Sequence, residues 1–297
     1  MKTIKSDIFR YSDALENEFK RELRRELVAP MIKTTTKTIL DLYRKNKAAF
    51  KMEVKDAAAM DANAYDIIDR AIKRLGKRFY DLYIKKGAEL SQKAIMRQYR
   101  FGRSVFTKII NKMMPKENEI PLLKGSAIPR DMANIIKTST KELQNYTLDI
   151  QNKYFTTVNG AVFRSMQSGG SIKQLAMEIY KAGNETYRRA ELIAEDQTRK
   201  AYMFITARNM AKAGIKKAEW VHSGGGTHAR EYHIHKWDGE SGKTDGRPNG
   251  LNGFIFDIDK PPVIQKKQGK QEEVRGFPAQ LPNCRCVMRA VVELDDI

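Results

Sequence analysis

Cysteine is nearly absent from this chain. Cys284 and Cys286 are the only two in 297 residues. They cannot build a disulfide framework, so synthesis in a soluble, reducing, cytosolic setting is expected. Long apolar runs are missing as well. No uninterrupted stretch is long enough to cross a bilayer, and the opening "MKTIKSDIFRYSDALENEF" has no apolar signal core. No Gly-x-Ser-x-Gly elbow appears, and "SGGGTH" lacks both the Gly-Lys-Ser/Thr ending of a nucleotide-binding P-loop and the apolar helix that follows one. No internal repeat is visible. These absences remove secreted disulfide scaffolds, membrane-spanning proteins and several common enzyme classes.

Histidine is also scarce, yet its placement is concentrated. All four histidines, His222, His228, His233 and His235, lie in "WVHSGGGTHAREYHIHKWDG", together with both tryptophans. Acidic residues are outnumbered by basic ones, 36 to 55, a net charge of +19. The excess is uneven. From Ile215 onward there are 13 basic and 12 acidic residues; before it there are 42 and 24, a net +18. Solvated helix faces would account for such charge, and so would a polyanionic partner. A field of this size attracts double-stranded DNA without regard to sequence. The helices lack concentrated Trp/Phe faces, which weighs against a membrane surface as the partner.

Residues 1 to about 214 read as helices. Leu15, Phe19, Leu23 and Leu27 form one apolar stripe, which Pro30 ends or interrupts. A second helix follows in "MIKTTTKTILDLYRKNKAAF". Ile68, Ile72, Leu75, Phe79 and Leu82 mark the face of the next, and "SQKAIMRQYRFGRSVFTKIINKMM" forms another with Gly102 as a weak point. "PKENEIPLLKGSAIP" reads as a connection. A long helix is predicted from Asp131, its N-cap, to Met166, ended by "QSGGS". A short helix, "IKQLAMEIYKA", precedes the clearest one, which has Asn184 as N-cap and Gly214 as its stop. After Gly214, "KAEWVH", "GFIFDI" and "CVMRAVVEL" read as strands between loops. The expected architecture is mostly α with a small C-terminal α+β module and long helices in the N-terminal two-thirds. The linear division is a basic helical region, 1–183, and a nearly neutral domain, 184–297.

"HAREYH" misses the zinc-protease pattern, because His228, Glu231 and His233 fall at i, i+3 and i+5 rather than on one helix face. "SGGGTH" is read as a flexible turn. A two-His, two-Cys zinc set remains open: His228, His233, Cys284 and Cys286 supply the thiolates and imidazoles that zinc prefers. The Cys-x-Cys spacing makes a tighter chelate than the usual Cys-x2-Cys. The alternative is that these are packed, hydrogen-bonded residues.

The order of motifs resembles that of the phage Mu protein F-like minor head proteins, also called phage head morphogenesis proteins. A helical Arg-Ala…Ile-Ala…Thr…Ala pattern falls on Arg189, Ala190, Ile193, Ala194, Thr198 and Ala201, followed by Gly214 and Trp220. An Arg-x-x-His…Asp-Gly turn follows on Arg230, His233, Asp238 and Gly239, then Pro-Asn-Cys-Arg-Cys on Pro282, Asn283, Cys284, Arg285 and Cys286. The resemblance covers about residues 185 to 293. Two features depart from it. Leu281 stands where many members have a histidine, and the acidic residue of the helix is displaced in "EDQT". The resemblance implies a virion component present in few copies, at the portal or in the head interior, made in the host cytoplasm. Its expected partners are the portal protein and the major capsid or scaffold proteins. Its expected role is in head assembly, DNA packaging or ejection, with no enzymatic activity. The competing reading is a metal-dependent nuclease or hydrolase built on His228, His233 and the cysteines, with Glu231 or Asp238 as its carboxylate.

Overall fold

A computed structural model describes residues 3–45, 62–113, 128–167, 171–224, 229–239, 248–265 and 272–293. Along them run β1 (Thr3–Lys5), α1 (Asp13–Leu23), a π-helical turn (Arg24–Val28), α2 (Ala29–Lys45), α3 (Ala62–Met113), α4 (Arg130–Gln167) and α5 (Ile172–Lys212). Then come β2 (Lys217–Val221), α6 (Glu231–Ile234), β3 (Ile255–Asp257), β4 (Val263–Gln265), β5 (Val274–Arg275) and β6 (Val287–Glu293). The protein is mostly helical, with long helices in the N-terminal two-thirds and a small strand-containing C-terminal module. No helix among the described residues is long and apolar enough to cross a membrane.

The chain forms two compact units that are interleaved rather than consecutive. A helical unit comprises Asn17–Lys93 and Thr140–Ala194; a sheet unit comprises Met1–Glu16, Ala94–Ser139 and Glu195–Ile297. Position 184 lies inside α5.

In the helical unit, Phe19, Leu23 and Leu27 are buried, as their spacing predicts. Pro30 does not end the helical path. Its missing N–H and its ring are incompatible with a regular bond to the carbonyl four residues back. The preceding turn widens to π geometry, with the Ala29 N–H donating to the Arg24 carbonyl, and Pro30 then sits in the first turn of α2. On α3 the buried face is Ile68, Ile72, Leu75, Phe79 and Tyr83; Leu82 points to solvent at 37% exposure. Phe79 stacks on Phe155 of α4 at 6.2 Å, and the Gln151 amide donates to the Gly76 carbonyl at 3.1 Å.

The two helices expected on either side of Asn184 are one helix, α5, so Asn184 is interior and not an N-cap. Gly183 persists there because Ile32 comes close: a Cβ at Gly183 would lie 3.1 Å from the Ile32 side chain. The true start is a capping box. The Ser171 hydroxyl accepts from the Gln174 N–H at 3.2 Å, and the Gln174 carbonyl oxygen accepts from the Ser171 N–H at 2.9 Å. The two helices expected across residues 64–114 are likewise the single helix α3, Ala62–Met113. The "PKENEIPLLKGSA" part of the expected connection lies outside the described residues.

The sheet unit contains a four-stranded antiparallel sheet in the order β1-β6-β2-β3 and a separate β4-β5 pair. β1 corrects the expectation of helix from the first residue. Its three residues pair with β6 through Thr3–Glu293, Ile4–Val292 and Lys5–Val291. No local pattern encodes a strand whose partner lies almost the whole chain away. Glu219 on β2 is buried and sits opposite Arg289 on β6, which grips it at 2.7 and 3.1 Å; Lys5 on β1 adds a third contact at 2.7 Å. Burial pushes the Glu219 carboxyl up, but the Arg289 and Lys5 charges outweigh it and hold the pKa below its usual range.

Behind the sheet, Phe9, Phe106, Tyr202, Met203, Met210 and Trp220 join one apolar core with Met288 and Ala290. Gly102, read as a weak point, is a contact point instead: a Cβ there would meet the Tyr202 ring at 3.3 Å. α5 stops as predicted at Gly214. The Ile215 N–H donates to the Met210 carbonyl and the Gly214 N–H to the Ala211 carbonyl, which requires the left-handed φ of +76° that glycine adopts without strain. Asp131, expected as the N-cap of α4, lies in its first helical turn. There, against the cost of burial, its contacts to Lys212 and Arg208 hold its pKa at about 2.

Candidate functional site

β2 carries Trp220 into the core with no exposed surface. Directly after the strand comes His222, whose N–H donates to the Asn252 side-chain oxygen at 3.0 Å. The short α6 then presents His233, 3% exposed, with its ring edge-on to Trp220 at 5.2 Å. His233 Nε2 lies 2.8 Å from the Ile264 carbonyl oxygen of β4. A carbonyl only accepts, so Nε2 carries a hydrogen, and in the neutral ring Nδ1 is the nitrogen with the lone pair. That lone pair faces two sulfurs: Cys284 Sγ at 3.5 Å and Cys286 Sγ at 3.8 Å. The His222 Nδ1 approaches Cys286 Sγ from another side, at 3.7 Å.

The cysteines are placed by a tight turn just before β6. The Cys284 N–H donates to the Leu281 carbonyl at 3.0 Å, and Asn283 takes a left-handed φ of 60°, which asparagine tolerates better than most residues. Two outside groups hold this turn. The Arg230 guanidinium donates to the Pro282 carbonyl at 3.1 Å, and the Asn283 N–H donates to Asp196 of α5 at 2.8 Å. The displaced acidic residue of "EDQT" thus has a structural job. Burial raises the Asp196 pKa above its usual value, with the Asn283 hydrogen bond opposing.

Cys284 and Cys286 are 5% and 3% exposed and unbridged. Hydrogen bonding from Cys286 pulls the Cys284 thiol well below its usual pKa; burial opposes this, and His233 adds to the lowering. The same pairing, reinforced by burial, drives Cys286 upward.

Among the residues expected from the sequence, the fold brings together Trp220, Arg230, His233, Asn283, Cys284 and Cys286. Arg285 points away toward Glu195 at 3.9 Å. Thr198 is buried and bonds back to the Glu195 carbonyl at 3.2 Å. Arg189 belongs to the helical unit and pairs with Asp149. Asp238 is exposed and accepts from the Asn249 amide, with Gly239 beside it at φ +95°. His228 lies outside the described residues.

The sequence alone gives no role to His222 or the Ile264 carbonyl, and shows Asp196 only as the displaced acidic residue of "EDQT". The only hint for His222 was its position one residue after a strand that ends at the glycine run. The ligand atoms of His233, Cys284 and Cys286 lie within 4.8 Å of one another, and among the described residues no Asp or Glu joins them. Glu231 and Asp238, the carboxylates of the hydrolase reading, are exposed.

Among curated proteins the chain is similar to an uncharacterized protein of Haemophilus influenzae. It is 30% identical over 144 residues, which cover 48% of this chain and 26% of that protein. The matched stretch is thus about a quarter of the relative's length. No solved structure matches. Residues 156–289 match the family described as Phage Mu protein F like protein, the family whose motifs this sequence resembles, and that stretch contains every motif residue placed above.

Proposed function

We propose that the protein is a minor component of a phage head. Its sheet unit docks on the portal or the capsid interior, and its basic helices contact packaged DNA. The observation that carries this reading is the overlap of the family match with the buried Trp220–His233–Cys284 site. The motif residues there are engaged in holding the fold, as suits a structural part. The nearly neutral charge after Ile215 favours a specific protein contact, and the +18 before it favours phosphates. A nuclease would want an open metal position with a carboxylate base, whereas the His–Cys cluster is buried and Glu231 and Asp238, the carboxylates of that reading, are exposed.

The deciding experiment is the protein inventory of purified particles. The chain is expected in virions and procapsids at a fixed low ratio to the portal protein. Its absence from both removes the reading. The full chain is the proper reagent, because a cut near residue 184 would sever α5 and separate β1 from β6.

DNA contact has its own test. Each phosphate neutralised on duplex DNA releases about 0.9 counterion, so engagement of six or more phosphates lowers affinity by about 10³-fold or more between 50 and 200 mM salt. Two unrelated duplexes should give the same steep salt slope. A flat response, or strong preference for one sequence, would show that the basic helices serve another partner.

A further inference from the structure

We propose that Cys284, Cys286, His233 and His222 hold one zinc ion, with His222 rather than His228 as the fourth ligand. The site goes beyond the head-protein reading and stands or falls without it.

Distances support it first. Tetrahedral zinc with bonds of about 2.3 Å to sulfur and about 2.05 Å to nitrogen places each sulfur about 3.6 Å from each nitrogen. The observed separations are 3.5 Å (Cys284–His233), 3.8 Å (Cys286–His233) and 3.7 Å (Cys286–His222). All three lie close to one tetrahedral edge; His233, Cys284 and Cys286 form the tight group, and His222 joins it through Cys286.

Valence comes next. S–H···N hydrogen bonds would have similar lengths, but His233 Nδ1 has one lone pair and faces two sulfurs. Cys286 in turn faces two imidazoles. Two S–H···N bonds would pair Cys284 with His233 and Cys286 with His222 but leave the 3.8 Å approach of Cys286 to His233 unused, whereas one central cation draws on every approach.

The outer shell is also in place. A metal-bound histidine usually donates its other ring N–H to a carbonyl or carboxylate, which fixes tautomer and ring orientation. His233 does this through Nε2 to the Ile264 carbonyl at 2.8 Å. Asp196 and Arg230 fix the turn that carries the thiolates.

Two thiolates and two neutral imidazoles make a closed, charge-neutral set with zinc. Such a set is structural, since it leaves no position for substrate. It would tie the end of β2, α6 and the turn before β6 in a unit whose other strands are short. The Cys-x-Cys chelate closes because Arg285 turns outward, at 44% side-chain exposure.

The test uses full-length protein purified without chelator or added metal. Elemental analysis is expected to find about one equivalent of zinc. Cobalt(II) added to stripped protein is expected to give thiolate charge-transfer bands and the intense visible bands of a tetrahedral site. Less than a tenth of an equivalent of zinc together with no such cobalt spectrum overturns the site, and an equivalent of iron or copper in place of zinc overturns its identity.

Cys284→Ser and His233→Ala remove buried groups and risk misfolding, so the ligand assignment rests on His222→Ala, a half-buried position. Competition with a chromophoric chelator should show zinc affinity falling by more than the ~10–100-fold that loss of an outer-shell partner costs. His228→Ala should leave it unchanged. If His228→Ala weakens zinc and His222→Ala does not, the fourth ligand is His228 and the assignment to His222 is wrong.

Discussion

Replacing Phe9 by alanine should destabilise the sheet unit by about 3–5 kcal/mol, the usual cost of emptying a fully buried aromatic site. Phe9 has no exposed surface and stacks on Phe106 of α3, with ring centroids 5.7 Å apart and planes 19° from parallel. Its N–H donates to the Met288 carbonyl at 3.0 Å, so the side chain also anchors the backbone that leads into β1. Ser6 adds two bonds to Ala290, one from its N–H and one to its hydroxyl. With that anchor loosened, β6 becomes a sheet edge, and an exposed edge invites pairing with other chains. Hydrogen exchange read peptide by peptide is the right measurement, since two interleaved units need not unfold together. Protection along residues 287–293 should fall, while peptides from 140–165 should keep theirs. A change below about 0.5 kcal/mol, the range of an ordinary surface substitution, would mean the N-terminal segment does not close the sheet.

The second large effect centres on Arg199. Its guanidinium grips Glu16 at 2.8 and 3.1 Å, both side chains only 6% exposed, reaches Glu195 at 3.4 Å, and lies 4.8 Å over the Tyr11 ring. Arg199→Met removes the guanidinium that makes two contacts to the buried Glu16 carboxylate, and breaking such a buried pair costs about 3–5 kcal/mol. The double variant Arg199→Met with Glu16→Met should recover most of that loss, because a well-packed apolar pair can match a buried ion pair. Chemical denaturation of the four proteins of the cycle checks it. If the double variant is no better than the single, the loss comes from Tyr11 packing and Glu195 rather than from the Arg199–Glu16 pair.

Glu195, Asp196 and Arg199 occupy one stretch of α5 and reach Arg285, Asn283 and Glu16 respectively. The sequence shows this stretch as "EDQTR", where the acidic residues look like a departure from the family pattern. Their role depends on contacts with positions about 90 and 180 residues away, and no local period carries that information. The same reason explains β1 and His222. By contrast, the stripe of Phe19, Leu23 and Leu27 and the stop at Gly214 were legible, because helix periodicity and the left-handed cap are local rules. Asn184 misled for a related reason: Asn after Gly is a good helix start in isolation, but Ile32 packs against Gly183 and the helix runs on. The Cys–His grouping was half legible. Residue types pointed to His233 with the two cysteines, while the companion imidazole depended on where β2 ends.

Interleaving also orders events during synthesis. Every residue of the helical unit has left the ribosome once position 194 has emerged, whereas the sheet unit draws on residues 1–16 and on β6, which ends at Glu293. At about 5–20 residues per second, the roughly hundred intervening residues take about 5–20 seconds to make. Throughout that interval Phe9 and the residues of β1 have no β6 to join, and the Phe9 side chain stays open to chaperones.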